Sequence, residues 1–591
     1  MVTLAHLEQD TEAARVVTLV RRFGEIVRER GVTRGAEPIN TTVRAALTTP
    51  WSNGKVGLSG PPRPWLPGRF ITAIRQARPP PLWPRDGRAQ EERVCFEVPV
   101  VTNVRFCLCP GMRDDKDILR RSPHDLDPEP AETSHPLCQG PVHWVPSRYN
   151  IRAHSQDGRL VLWNTLHGSL SVFKAEQAHR VLELLRWEGT QAPLEDLLKY
   201  LVERGFLVRK EADEFRQFQL LHGSQQYRPD VLQLILLSSE DCNFRCKYCY
   251  ERFARGTMRP QVRQGVKQLV EKRLPALRHL HVSWFGGEPL YGWKAIEELG
   301  PALIEASERH GVPFSCDMTT NGYLLTPEVA DQLLAWKINH FQITLDGPPE
   351  HHDCSRPTRD GAGTFSTILE NLESLSRCQD DFKVSLRVNF DQVNHHHMSG
   401  FFDLLRQKLG ADPRFQLAFH AVGRWGGAND SELEVCGKGG ADIAAQLRTA
   451  AHERGLSIET LSGKLSPGSQ VCYAARPYNF IIGASGKVMK CTVALDADER
   501  NIVGRLTPEG ELVLDADKMG LWTEPAFEAD SHCRKCVLLP NCQGMSCPLV
   551  RMRTGESPCV PERRHAKRQM LELVRTWEDH GRHRSIPLSK R

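Results

Sequence analysis

The feature that most constrains this chain is a regular alternation of strand-like and helix-like patterns across residues 231–455. Apolar strand runs begin near Leu232, His279, Phe314, His340, Lys383 and Arg414. Helical spacing follows at 261–273, 293–310, 327–337, 365–378, 397–409 and 440–454. Alternating βα units imply a parallel sheet, because each helix must carry the chain back to the end where the last strand began. Six units predict an α/β fold of the partial (β/α)6 TIM-barrel type, with its active site at the C-terminal ends of the strands.

The loop after the first strand lies on that face. It reads "DCNFRCKYCYE", Asp241 to Glu251, with three cysteines spaced C-x3-C-x2-C. A structural zinc site closes its shell with four ligands, and iron–sulfur clusters are usually held by four thiolates. Three cysteines can hold three corners of a four-iron cube and leave the last iron for chemistry. With an aromatic residue, Tyr248, before the last cysteine, the loop resembles the radical S-adenosylmethionine (SAM) superfamily. The resemblance implies a [4Fe-4S] cluster on Cys242, Cys246 and Cys249, whose open iron chelates SAM. Reductive cleavage then yields a 5′-deoxyadenosyl radical that abstracts a substrate hydrogen. For the triad alone, a zinc site with a distant fourth ligand is the alternative.

Three further segments fall at strand ends. "WFGGEPL" (284–290) closes the second strand; Gly286 and Gly287 let backbone approach a ligand, and Glu288 can accept from an ammonium group. In the superfamily this segment binds the methionine amine of SAM. "TTNGYLL" (319–325), with Asn321, and "TLDGP" (344–348), with Thr344 and Asp346, end strands three and four. They resemble the peptide-modifying branch of the superfamily. There Thr344 takes the place of a frequent SAM-binding serine, and Arg356 has the spacing of the arginine near SAM's carboxylate.

A second cysteine constellation lies downstream. Cys472 is followed by thirteen residues, Gly486, four residues and Cys491; then come Cys533-x2-Cys536-x5-Cys542-x4-Cys547 and, eleven residues on, Cys559. This resembles the SPASM domain with its two auxiliary [4Fe-4S] clusters, with one extra residue between Cys542 and Cys547. The family pattern assigns Cys533, Cys536, Cys542 and Cys559 to an outer cluster and Cys472, Cys491 and Cys547 to an inner one. The inner fourth position is either another ligand, with Cys436 the nearest upstream cysteine, or an open iron. A pair of zinc sites also fits C-x2-C.

The remaining stretches divide the chain. Residues 1–144 form a Pro/Arg-rich extension with sixteen prolines between Pro50 and Pro141. That density argues for disorder beyond one amphipathic helix at 12–31; a start codon assigned too far upstream explains the extension equally well. Its Cys95, Cys107, Cys109 and Cys138 suggest no folded site. Residues 145–225 carry two strands around a turn at His167–Gly168 and helical patterns at 175–189 and 193–208. This order resembles a winged-helix-like precursor-peptide recognition element. The barrel then spans 226–460, the SPASM domain 461–565 and a basic C-terminal helix or tail 566–591, expected as a solvated terminal helix. Cys354 could stand near the barrel site, but unreactive buried thiols are expected at Cys354, Cys316 and Cys378. Solvated loops are expected at the histidine runs 351–352 and 395–397.

Together these readings predict a radical SAM peptide maturase. Its expected partner is a ribosomal precursor peptide whose leader binds residues 146–209, and its product a thioether or carbon-linked crosslink. A flavodoxin or ferredoxin is the expected electron donor. A sulfatase-maturing enzyme is one rival; that group is expected to carry an aspartate base immediately after the G-x4-C cysteine, where this chain has Thr492, which cannot act as a base at neutral pH. A zinc-stabilised nucleic-acid-binding protein using the basic tail is the other. Neither membrane nor nucleic acid is an expected partner: the longest apolar strings, such as "VLQLILL", are strand-sized, and the net charge is only +5. With no signal-peptide pattern and cysteines clustered as ligands, the expected location is the cytoplasm and the thiols reduced.

Overall fold

The structure is a computed structural model that describes residues 143–581, apart from 187–188, 191–195, 254–255, 460 and 561. These residues belong to one compact unit, Cys95–Arg591. The expectations for the N-terminal extension and its cysteines lie outside the described residues.

The first strands are β1 (His143–Pro146), β2 (Asn150–His154), β3 (Leu160–Asn164) and β4 (Ser169–Phe173). Helix α1 (Ala175–Leu184), β5 (Gly189–Thr190), α2 (Asp196–Glu203), β6 (Leu207–Arg209) and α3 (Glu214–Gln226) follow. Strands β2, β3 and β4 form an antiparallel meander, and β5, β1 and β6 a second small sheet. The helical pattern expected over 193–208 stops early for a local reason. Gly205 has φ +73, where a Cβ would lie 2.2 Å from the His167 ring, so the chain turns and 207–209 pairs with β1.

The barrel strands are β7 (Val231–Ser239), β8 (His279–Gly286), β9 (Phe314–Thr320), β10 (Ile338–Thr344), β11 (Lys383–Phe390) and β12 (Phe415–Ala421). Between and after them run α4 (Pro260–Arg273), α5 (Trp293–Arg309), α6 (Pro327–Ala335), α7 (Pro349–Ser355), α8 (Phe365–Ser376), α9 (Met398–Leu409) and α10 (Gly440–Glu453). All six strands are parallel and neighbour one another in chain order. Helix starts follow ordinary rules: Pro260 and Pro327 occupy first-turn positions, and Thr326 caps α6 through Val329 N. Sequence spacing had not suggested α7.

The six-stranded sheet does not end at β7. Strand β13 (Asn479–Ile482) pairs with β7 in parallel, and β14 (Lys487–Met489), β15 (Ile502–Leu506) and β16 (Leu512–Leu514) continue antiparallel, giving ten strands. Apolar packing crosses the same line: one core holds Leu232, Val282, Phe341 and Leu386 together with Cys491, Val503, Trp522 and Leu549.

In β8 the burial alternates strictly: Leu280, Val282 and Trp284 are buried, while His279, His281, Ser283 and Phe285 are partly open. Strands covered on both faces are near-continuously apolar. Here alternation leaves a more polar second face, on which His281 bonds Ser315 (2.7 Å) and Asp317 (2.8 Å).

The C-terminal helix α11 (Glu562–Gly581) corrects the expectation of a solvated tail. Its Ala566, Met570, Leu573 and Val574 are buried with Ile151, Val161 and Trp163 of the β2–β3 face and with Leu465 and Leu538. Arg568 pairs with Asp442, and Arg448 with Glu572 at 3.3 Å. Trp163 Nε1 donates to Leu465 O at 3.1 Å, and Thr165 to Val537 O. The N-terminal module is thereby fastened to the cysteine-rich region. No helix among the described residues is long and apolar enough to cross a membrane.

Candidate active site

The three-cysteine loop is held at the C-terminal end of β7 by backbone pairing to the segment after α7. Arg245 N donates to Pro357 O and Lys247 N to Ser355 O, both at 2.9 Å, and Arg359 N to Asn243 O at 2.8 Å. Arg359 also bonds Asp241 (2.7 Å) and Cys242 O (3.0 Å). From β8, Gly286 and Gly287 press on this loop. A Cβ on Gly286, at φ +132, would stand 2.0 Å from Ser239 O, and one on Gly287 2.6 Å from Asp241 O. What the two glycines admit is the chain's own loop.

Glu288 is fully buried, and its carboxylate accepts from Leu290 N (3.0 Å), Thr320 Oγ1 (2.7 Å) and Asn321 N (2.7 Å). Asn321 donates to Asn243 Oδ1 at 2.8 Å and reaches Cys242 Sγ at 3.8 Å. Tyr248 gathers the next group: its hydroxyl donates to Asp346 and accepts from Arg356 (2.7 Å) and Asn389 Nδ2 (3.1 Å). Asp346 Oδ1 accepts from Asn389 N at 2.9 Å. Burial opposes the Arg356 charge, but Tyr248, Cys246 and Asp346 outweigh it and hold the guanidinium above its ordinary value. Thr344 is buried at the end of β10, in register with Arg387.

Ten cysteines expected as ligands fall into three sets by the thiols whose charges act on one another. Cys242 feels Cys246 and Cys249. Burial, then Cys491 and Cys547, push Cys472 up to about 12. Cys533 feels Cys542 and Cys559, and Cys542 feels Cys536 and Cys559. The last four line one cavity of about 190 Å³. Cys436 stands elsewhere: it precedes α10, next to Gly440, and the charge acting on it is that of Asp391. Among the described residues no three His, Cys, Asp or Glu side chains stand close enough to hold one metal ion.

Two expectations need correction. His352 is fully buried; its Nδ1 accepts from Asp346 N (3.1 Å) and its Nε2 meets Thr364 Oγ1 (3.1 Å), so it braces the Asp346 turn. It is buried because α7 turns it under the strand end, while His351 stacks on His397 at 4.8 Å. Cys354 is exposed, and Lys247 Nζ donates to its sulfur at 3.0 Å, placing it against the cysteine loop.

Sequence reasoning missed Tyr250, Glu251, Arg387, Asn389 and His420. Tyr250 is acted on by Glu251, Cys249, Cys491 and Arg387, so it borders both the barrel triad and the Cys472 set. Burial, then Glu240 and Glu288, push Glu251 up to about 8. His420 stands exposed near the end of β12, where the charges of Arg387 and Lys464 act on it. The available signal was polar residues alternating with apolar ones in "KVSLRVNF" and "FQLAFHA".

The βα sheet thus gathers three cysteines, a buried glutamate and an arginine–aspartate–tyrosine network at one strand-end face. Residues 236–405 match the model of the Radical SAM superfamily, and the chain carries a radical SAM domain. It is 22% identical over 284 residues to the radical SAM cyclopropyl synthase TigE of Paramaledivibacter caminithermalis, covering 42% of this chain and 58% of that protein. It is 27% identical over 296 residues to the mycofactocin maturase MftC of Mycolicibacterium smegmatis, covering 46% and 66%. To a serine-type anaerobic sulfatase-maturating enzyme of Klebsiella aerogenes it is 25% identical over 158 residues, covering 26% and 39%. The chain thus spans less than two thirds of the length of these relatives.

The superfamily implies SAM and a four-iron cluster. The residues fit such a group: three thiols on one short loop are near enough for their charges to act on Cys242, and the buried Arg356 Nε and Asn243 Nδ2 have no partner among the described residues. A buried donor without a partner is costly, and a bound anionic group would satisfy it.

Proposed function

We propose that the protein is a radical SAM peptide maturase that modifies a ribosomally made precursor peptide. Cys242, Cys246 and Cys249 would hold the cluster, and Tyr248, Gly286, Gly287, Glu288, Asn321, Thr344, Asp346 and Arg356 would shape the SAM site around it. Bound there, the cluster and SAM would supply a carbon-centred radical able to remove a hydrogen from the substrate. The protein's part is to orient: Arg356 offers its free donor, Tyr248, itself held by Asp346, fixes Arg356, and the polar face of the strands would receive the peptide. Cys472, Cys491 and Cys547 would hold an inner auxiliary cluster, and Cys533, Cys536, Cys542 and Cys559 an outer one.

The observation that carries the peptide reading is the edge of β4. The sheet order β2-β3-β4 leaves one side of this strand unpaired among the described residues, in a module docked on the cysteine-rich region. An incoming leader can add a strand there. With Cys436 apart, three cysteines leave one inner corner for a substrate ligand, which favours a cysteine-bearing core peptide and a thioether over a carbon-linked product.

A second reading, a sulfatase-maturing enzyme, is favoured by the Klebsiella relative. Against it, the residue after Cys491 is Thr492, whose hydroxyl bonds Tyr473 Oη at 2.7 Å.

Hydrogen exchange with a leader-containing precursor, joined to mass analysis of the peptide, separates these readings. A maturase slows exchange over 169–173 and yields a peptide lighter by hydrogen. An unchanged precursor and a formylglycine-bearing sulfatase peptide would establish the second reading instead.

A further inference from the structure

Lys490 is the amine that the reaction as described does not use. It follows β14, directly before Cys491, and is 0% exposed. Its Nζ donates to Arg476 O and Asn479 O, both at 2.6 Å, and lies 5.2 Å from the centre of the Phe480 ring. No carboxylate pairs with it among the described residues, and the one titratable group whose charge acts on it is Cys472. Part-buried Arg476 repeats the arrangement: its guanidinium donates to Gly468 O, and Cys472 is the one charge acting on it.

A fully buried cation without an anion is expensive, and proteins bury such charges paired. Two carbonyl dipoles and an aromatic face help, yet they supply no net negative charge. Beside Lys490 stand Cys491, its neighbour in the chain, and Cys472, whose charge acts on it; with Cys547 these form the set that becomes anionic when its thiols are deprotonated around iron. The local scaffold ties the two together. Asn501 Oδ1 accepts from Lys490 N (3.1 Å) and Cys491 N (2.8 Å), and its Nδ2 donates to Cys491 O (2.8 Å). Through Arg476 O, Lys490 also grips the segment that carries Cys472.

We infer that Lys490 is a positioning residue and the built-in counter-charge of the inner auxiliary cluster, with Arg476 as a weaker second. This rests on the reading of Cys472, Cys491 and Cys547 as cluster ligands. A positive charge fixed beside an iron–sulfur cluster favours its reduced, more negative state, so the cluster's potential depends on the charge and not only on the fold.

The test uses the full chain, reconstituted anaerobically, with Cys242, Cys246 and Cys249 replaced by alanine so that the remaining signals belong to the C-terminal sets. Iron content, and the midpoint potential read by paramagnetic resonance, are compared for this background, Lys490→Met, Lys490→Arg and Arg476→Gln. Lys490→Met should lose inner-cluster iron, and what remains should have a lower midpoint. Lys490→Arg should recover iron and midpoint towards the background, and Arg476→Gln should lower the midpoint by less. Should Lys490→Met not fold, Lys490→Gln, which can still donate to the carbonyls, carries the same comparison. Full iron with an unmoved midpoint in the neutral variant overturns the inference. If the background itself holds no iron at the inner set, the cluster reading fails before any lysine variant is compared.

Discussion

The barrel site and the Cys472–Cys491 region bury charge in opposite ways. Around the three-cysteine loop, the Arg356 guanidinium donates to the Tyr248 hydroxyl, which donates to Asp346, and Glu288 receives three donors. Around Cys472, Lys490 and Arg476 meet carbonyls and a ring but, among the described residues, no carboxylate. The first arrangement is nearly complete as polypeptide; the second waits for negative charge from what it binds. On the proposed reading, the barrel can be built before its cofactors arrive, whereas the inner cysteine set would depend on iron for its own order.

Removing iron is the strongest way to break this comparison. In cluster-free protein, exchange protection should persist through β8 to β11 and fall sharply over 472–495 and 533–559. Equal loss in both regions would erase the distinction. A smaller effect should come from Asp346→Ala, which leaves the Tyr248 hydroxyl and Asn389 N without their acceptor and removes the negative charge nearest the Tyr248–Arg356 contact. Leaving buried donors unpaired costs about 1–3 kcal/mol, and exchange at the ends of β10 and β11 should report it as local opening.

The smallest effect is a pH dependence centred on His352. Burial, then the Arg356 charge, hold this imidazole well below its ordinary value. Below about pH 6.5 the unfolded histidine takes a proton that the folded one refuses, so stability falls as pH drops. The slope is at most about 1.4 kcal/mol per pH unit, visible as a lower protection factor for the Asp346 amide at pH 5.5 than at 7.5, relative to the intrinsic exchange rate at each pH. His352→Gln, neutral throughout, should flatten it.

Much of the barrel was legible because its cues are local. Apolar strand runs and helix spacing placed the β8, β9 and β11 starts where the structure has them, at His279, Phe314 and Lys383. The cysteine loop and the segments at Glu288, Asn321 and Asp346 were legible as short motifs, and the fold brings them to one face. What escaped depends on contacts distant in sequence. Strand β13 meets β7 across more than two hundred residues, so no local pattern announces a ten-stranded sheet. The final helix looked solvated because its charges are plain, while Met570 and Leu573 find partners only on β2 and β3. His352 reads as a polar loop residue until α7 buries it beneath Asp346.

The central claim is that the three-cysteine loop holds a SAM-cleaving cluster within a chain that carries further clusters. The most direct measurement incubates anaerobically reconstituted wild type and Cys249→Ala with SAM and a strong reductant, and counts 5′-deoxyadenosine and iron. Wild type should release the nucleoside and hold about twelve irons, four per cubane; the variant should release none and keep about eight. Equal nucleoside from both proteins, or stoichiometric zinc with no iron, would contradict the account.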